Sequence, residues 1–441
     1  MRILSLLVAF VFANSLVAAD FEKEKLDNWH QWRGPLATGV APKGDPPTTW
    51  DAKTNIQWKA PLTGKGSATP IIWGDHVFVV TAVDTQRKVE PDKKGKIDPR
   101  FEKKTSAPDT YHQFIVMCFD RQSGDLKWKK VAAEAVPHEG THNSHSYAAG
   151  SPTTDGQFLY VSFGSFGIFC YDFDGNLTWQ KEFGKLNTRL GWGEAVTPVL
   201  HGDSLILNWD QEADSSLICL NTKTGNQRWR MPREEKTSWN TPLIVEHAGK
   251  TQVILNGTNR ARGYDLSDGK VVWECAGMTT NAIPSAVAKD GMAYIMSGYR
   301  GAAAVAVPLD STGDLKDNGK VGWRYAKGTP YVPSPLLLGD RLWFTQANTQ
   351  VLTILDIKTG KPVLDQERLP SVKSFYGSPS AAAGRVYLTD RDGITLVLKD
   401  GTTLDVLATN RLDDAIDASP AIVGKQLFLR GEKYLYCIGA K

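Results

Sequence analysis

The chain has 441 residues, of which 41% are hydrophobic and 22% charged. This is a globular composition with ample material for a core, so disorder is not the default. The formal net charge of +3 is nearly balanced and lacks the basic stripe that would point to nucleic acid, so no nucleic-acid partner is expected.

In chain order, "MRILSLLVAFVFANSLVAAD" carries one early arginine, a short apolar run and small residues, with Val17 and Ala19 placed as in an A-x-A-like cleavage site. Residues 1–19 therefore read as a secretory signal. The run is broken by Asn14 and Ser15 and is shorter than the roughly 18 to 20 residues of a spanning helix, so no transmembrane anchor is expected. The mature chain is expected to be exported, periplasmic or extracellular, and monomeric. Residues 20–54 form a leading segment that ends rich in proline.

From residue 55 a beat recurs: a small residue, an acid, a glycine turn and a tryptophan. It reads "CFDRQSGDLKW" (118–128), "CYDFDGNLTW" (170–179), "CLNTKTGNQRW" (219–229), "GYDLSDGKVVW" (263–273) and, with a longer turn, "PLDSTGDLKDNGKVGW" (308–323). Between beats come a proline, an apolar stretch, a Gly-Asp or Asp-Gly turn and a β-branched or aromatic run. Each unit thus spells four short strands, and no helical period intrudes. The opening prolines fall at Pro70, Pro152, Pro198, Pro242, Pro284, Pro335, Pro379 and Pro420, and six of the seven intervals are 41 to 51 residues. That period predicts an all-β fold over residues 55–441, an eight-bladed β-propeller of four-stranded antiparallel blades. The long first interval contains an insertion at 85–112.

The last unit ends at "YLYCIGAK" with no room for a fourth strand, and "NIQWKAPL" (55–62) has the outer-strand pattern that would complete it. The ring is therefore expected to close through the N-terminus, leaving no open edge. Trp58, Trp128, Trp179, Trp229, Trp273 and Trp323 are expected to pack between neighbouring blades, whereas Trp50 is expected to lie outside the ring. Cys118, Cys170, Cys219 and Cys437 share one slot and read as small apolar fillers. Cys275 sits on an outer strand without an obvious partner, and no disulfide is expected.

The beat, best preserved in "NTKTGNQRW", resembles the tryptophan-docking motif of pyrroloquinoline-quinone-type (PQQ-like) eight-bladed propellers. The likeness covers 55–441 and weakens late, where Leu364 replaces tryptophan and "LKDGTTLDV" has none. "NWHQWRGP" followed by "IQWKAPL" is similar to the leading part of exported bacterial members. The resemblance implies one of two functions. One is a non-catalytic binding platform without cofactor, as in the outer-membrane assembly lipoprotein. The other is a PQQ- and calcium-dependent dehydrogenase of alcohols or sugars. The chain lacks the adjacent cysteines of alcohol-dehydrogenase-type members and the lipid-anchoring cysteine of the platform group, and the platform is the preferred reading.

Loops joining strands two and three share a face with those joining successive blades, and function is expected there. Connections between blades supply His145, Trp192, Glu194, Trp239, Asn240, Tyr331, Tyr376 and Asp417, together with Tyr147 and Asn281. Loops within blades supply Asp210, Arg260, Arg300, Asn348, Arg391 and Arg430. Arginines converging on one mouth would favour a carboxylate or phosphate, and tryptophans could stack a planar ring. The expected ligand is a protein segment or an acidic small molecule. The plain alternative is solvated loop charge with packing aromatics. Under the dehydrogenase reading, Glu194, Asp210 or Asp417 with Arg300 would serve calcium, substrate and quinone. In "HEGTHNSHSYAAGSP", His138, His142 and His145 either bind a metal such as zinc or cap backbone groups, with Asn143 and Ser144 doing similar work. The 85–112 insertion and residues 131–148 either form a lid over the funnel or lack order. No nucleophile elbow, phosphate loop or zinc knuckle is present.

Overall fold

A computed structural model describes residues 20–90, 99–316 and 320–440. The signal reading of residues 1–19 and part of the 85–112 insertion lie outside them.

Among the described residues, eight sheets follow one another along the chain, seven of four antiparallel strands and one of four antiparallel strands with a parallel fifth added. Blade 3 shows the pattern with Val199–His201, Ser204–Trp209, Ser216–Asn221 and Gln227–Pro232. Its second strand, "SLILNW", is buried throughout because neighbouring blades cover both of its faces. Its outer strand, "QRWRMP", alternates exposed and half-buried positions, as the two-residue strand period requires of an element covered on one face. In blade 1 the insertion lengthens a hairpin whose strands are His76–Lys88 and Thr110–Asp120.

Ile56–Pro61 pairs antiparallel with Tyr434–Ile438 as the outer strand of blade 8, with Trp58 opposite Cys437. The cysteine slot now has a reason. Cys118 lies opposite Trp128, Cys170 opposite Trp179, Cys219 opposite Trp229, and Gly263 opposite Trp273. Directly paired residues share a sheet face, so a small side chain leaves the indole room to lie flat. All five cysteines are buried and none is joined in a disulfide among the described residues.

Each indole reaches the next blade. Its Nε1 donates to the carbonyl just after the acid or asparagine of that blade's turn: Trp58 to Arg121 (2.9 Å), Trp128 to Phe173 (2.7 Å), Trp179 to Thr222 (2.7 Å), Trp229 to Leu266 (3.0 Å) and Trp323 to Ile357 (2.7 Å). The turn glycine provides the seat. At Gly124 the backbone has φ +77°, and a Cβ would come within 2.6 Å of the Trp58 ring. Blade 5 departs from this scheme because its turn is longer. There Trp273 donates to Gln252 Oε1 (2.9 Å), and Gln252 Nε2 donates to Leu309 O (2.6 Å). Gly313–Asp314 of the long turn adds a parallel fifth strand beside Trp273 and Glu274, which completes the burial of that tryptophan.

A second ring of bonds encircles the axis where the inner strands begin. Backbone N–H groups donate to the next blade's hydroxyl from Thr69 to Ser151, Ser151 to Thr197, Thr241 to Ser285, Ser285 to Ser334, Ser334 to Ser378 and Ser378 to Ser419, at 2.7–3.2 Å. The corresponding links from Thr197 to Thr241 and from Ser419 to Thr69 are not formed among the described residues. In blade 5 the hydroxyl follows Pro284 instead of preceding a proline.

The leading segment corrects one expectation. It enters from the face of the strand one–two turns, where Asn28 Oδ1 accepts from Gly74 N and Asp45 N donates to Gly424 O. It then crosses the end of the central channel. Trp29 pairs with Ile72 of blade 1, the His30 carbonyl accepts from Thr154 of blade 2, and Thr38 and Ala41 bond blades 6 and 7. The Arg33 guanidinium donates to Pro379 O (2.7 Å), Pro335 O (2.7 Å) and Thr38 O (3.0 Å). Trp50 is not outside the ring. It is 4% exposed, stacks on Tyr387, and its backbone N–H donates to Asn410 Oδ1. Trp50 is buried because the outer wall of blade 7 has no docking tryptophan of its own.

Trp58→Ala should therefore cost about 3–5 kcal/mol, and Trp50→Ala a comparable amount, since both remove a buried aromatic. Trp58→Phe keeps most of the apolar area and should cost nearer 1 kcal/mol for the lost hydrogen bond. Gly124→Ala should also destabilise, through the positive φ and the Trp58 clash. Denaturant midpoints of the four variants check this ranking, and a Trp50→Ala midpoint equal to wild type would contradict the structural role of the leading segment.

Candidate functional site

The inter-blade connections and the strand two–three loops lie on the face opposite the acid-glycine turns. On that face a chain of contacts runs around the mouth. The Arg391 guanidinium bonds Asp417 at 2.6 and 3.1 Å and lies 4.0 Å over the Tyr376 ring. The Tyr376 hydroxyl is 3.0 Å from Ser144 Oγ, which is 2.7 Å from His142 Nδ1. His142 packs edge-on against Trp192, and Trp192 stacks on Trp239 with centroids 6.4 Å apart. Trp239 Nε1 donates to Gly193 O, fixing its ring. Ser144, from the blade 1–2 connection, therefore reaches Tyr376, from the blade 6–7 connection, so part of residues 131–148 spans the mouth. Further round, Tyr299 and Tyr331 meet at 4.8 Å, with Arg300 beside Tyr299.

The described part of the insertion also folds over this face. Lys104 N donates to Leu190 O, the Thr105 hydroxyl bonds Gly191 O, and the Lys103 ammonium pairs with Glu139.

The arginines do not converge as the sequence suggested. Arg260 turns outward to Glu274 and Asp314, at 3.1 and 3.0 Å, because the fifth strand of blade 4 brings acids within its reach. Arg391 is neutralised by Asp417, which holds it further toward the charged form. Arg430 ends a strand instead of occupying a loop. It is buried between blades 8 and 1, reaching toward Val80 O, and burial pushes it down to about 10. Arg300 alone of the four is exposed at the mouth.

The carboxylates are equally committed. Asp210 is buried in an ion pair with Arg233 and accepts from Ser238 Oγ at 2.6 Å. Asn240 is tied to Ser238 and the Asn256 carbonyl. Glu194 accepts from Ser165 N at 2.7 Å and Ser165 Oγ at 2.6 Å. Burial pushes its carboxyl up to about 8, against the opposing pull of those two bonds. Glu194, Asp210 and Asp417 thus serve separate partners and do not form a shared oxygen cage for calcium, nor do they place Arg300 beside one. These residues do not fit PQQ with calcium.

The three histidines also go separate ways. His138 Nε2 bonds Leu186 O (2.7 Å), His142 bonds Ser144, and His145 Nε2 bonds Glu194 O (3.0 Å). Burial lowers His145 to about 4, so its ring is neutral near pH 7. His138 instead neighbours Glu139 and Glu194, with ligand atoms within 4.8 Å. Lys103 already supplies a cation to Glu139 there. Sequence reasoning did not single out Tyr299, although its place next to Arg300 in one loop was a usable signal.

A raised Glu194 gives a signed pH effect. The folded state keeps its proton above the ordinary carboxyl value, while the unfolded chain releases it. Stability should therefore fall as pH rises from about 5 to about 8 and level off above. Glu194→Gln should flatten that slope, read from denaturant midpoints at several pH values. An unchanged slope would mean that Glu194 is ionised throughout.

A family model described as "Outer membrane protein assembly factor BamB", of the PQQ-like repeat type, matches residues 112–312, a little under half of the chain. No curated protein matches. Among solved structures, BamB from Moraxella catarrhalis is similar at a TM-score of 0.50 and 13% identity, over 81% of this chain and 100% of its own. The computationally designed Ika8 protein reaches 0.54 at 10% identity, over 86% and 98%. Quinohemoprotein alcohol dehydrogenase from Comamonas testosteroni reaches 0.46 at 13%, over 96% and 82%. At these identities the likeness shows the propeller fold alone. No helix among the described residues is long and apolar enough to cross a membrane.

Proposed function

We propose that this propeller is an exported, non-catalytic platform whose funnel face binds an extended protein segment. The observation that carries the reading is the set of half-buried aromatic side chains around the mouth, Trp192, Trp239, Tyr331 and Tyr376, fixed by packing and hydrogen bonds yet still open to solvent on one side. Aromatics with little freedom left to lose make strong protein-binding anchors. The paired Arg391 and Asp417 and the neutral His145 leave little net charge to draw an acidic small molecule. The description of the matching family model supports an assembly role, and the pattern of residues 1–19 supports export to the periplasm.

Panning a displayed library of random peptides on the immobilised propeller tests this. Enriched peptides should lose about 2 kcal/mol or more of binding, roughly thirtyfold, on Trp192→Ala or Tyr331→Ala. Arg300→Ala should act mainly on the salt dependence. Circular dichroism should be unchanged in all three. Peptides that bind the wild type and these variants equally would place binding elsewhere.

A further inference from the structure

The opposite face carries a cavity of about 1030 Å³ between the leading segment and the inner strands of blades 2 to 5. It exists because of the path of that segment. Residues 28–30 bond blades 1 and 2, and residues 38–46 bond blades 6, 7 and 8, so the inner strands of blades 3 and 4 are left uncovered. The turn His201–Asp203 is part of its wall, so it opens on the face of the acid-glycine turns.

The walls divide by chemistry. Leu36, Val199, Leu200, Leu243 and Ile244 give an apolar lining, and Leu36 is 46% exposed. Deeper in, His30 and Arg33 line the cavity, each at most 5% exposed. His30 Nδ1 and Arg33 Nε are buried without hydrogen-bond partners. The gap in the hydroxyl ring falls here too, since Thr197 and Thr241 both line the cavity and are not linked.

The deep end of the cavity, where Arg33 lies, favours an anion. Arg33 bonds three carbonyls and no carboxylate, and burial alone acts on it, lowering it to about 9. Of the acids at the cavity edge, Glu22 pairs with Lys25, Asp203 pairs with Arg228, and Asp155 accepts from the Tyr160 hydroxyl, while Glu246 lies exposed at the rim. The Arg33 guanidinium is buried without a counter-charge, and its Nε is a desolvated donor that an anion would satisfy; His30, whose ring burial keeps neutral, adds an unpartnered nitrogen to the same wall. The apolar walls ask for a ligand with more than a charged head.

We propose that this cavity binds a small amphiphilic monocarboxylate, its carboxylate against His30 and Arg33 and its apolar body along the inner strands of blades 3 and 4. The site is separate from the funnel mouth and independent of peptide binding there.

Isothermal titration of the full chain with decanoate, decanol and acetate tests the assignment. Decanoate should bind one to one, about tenfold or more tighter than either decanol or acetate, because only decanoate uses both the Arg33 charge and the walls. Ile244→Trp, which fills the cavity from a half-buried position, should weaken decanoate about tenfold or more. His30→Phe should weaken decanoate and leave decanol unchanged, with thermal melts confirming that both variants fold. Trp192→Ala should leave decanoate binding intact, which separates this site from the funnel. No decanoate binding, equal binding of decanoate and decanol, or a folded Ile244→Trp that binds decanoate as wild type does, would each overturn the proposal.

Discussion

The seat of one blade's tryptophan on the next blade's turn is the contact on which the ring depends. It needs three residues from two blades: a small residue opposite the indole, a carbonyl just past the acid, and a glycine whose missing Cβ lets the ring lie down. Each such contact combines a large apolar area with one directed hydrogen bond, which sets the angle between blades as well as their adhesion. Propeller sheets have no shared barrel core, and hydrogen bonding between strands stops at the edge of each blade, so this side-chain contact must do the work. Blade 5 demonstrates the constraint by its exception. When the turn lengthened, Gln252 relayed the indole bond to Leu309, and an added strand restored the burial of Trp273.

Closure follows from the same contact. Trp58 is separated from the rest of blade 8 by nearly the whole chain, yet it packs against Phe428 and bonds Arg121 as its counterparts do elsewhere. Where the docking tryptophan is lost, in blades 6 and 7, other packing takes over. Leu364 is buried in the corresponding position, and Trp50 of the leading segment packs against blade 7. The leading segment thus compensates for the degraded end of the repeat, and it plugs the channel with Arg33. Those two tasks fix its path, and the path in turn leaves the cavity beside blades 3 and 4.

The two faces are chemically distinct. On the funnel face, most charges are spent on one another, Arg300 excepted, and the accessible surface is rich in aromatics, suited to recognition by shape and stacking. On the turn face, an uncompensated arginine sits at the head of a cavity with one apolar wall, suited to a charged group with a hydrophobic body. Part of the blade 1–2 connection crosses the mouth, and Ser144 joins distant blades through His142 and Tyr376, so the funnel rim behaves as one linked surface instead of eight independent loops.

The number of blades, their four strands, the closing strand and the docking tryptophans were legible because each is written by local spacing that repeats, and a period survives even where single residues drift. The aromatic residues of the mouth were legible for the same reason, since blade register places them. What the repeat could not show was the partner of each charge. Arg260 finds Asp314 through an inserted strand, Asp210 finds Arg233 across one blade, and Arg33 finds Pro379 at a separation of 346 residues. Such pairings carry no periodic signature, because they arise only when the closed ring brings distant segments to its axis. The three histidines near 140 were close in sequence but point to different acceptors, since the connection bends at 138–139 and turns between His142 and His145, where His145 N donates to His142 O. The sequence by itself thus determined the ring and its mouth, and only the tertiary structure decided which charges remain unpaired and where a cavity is left to receive one.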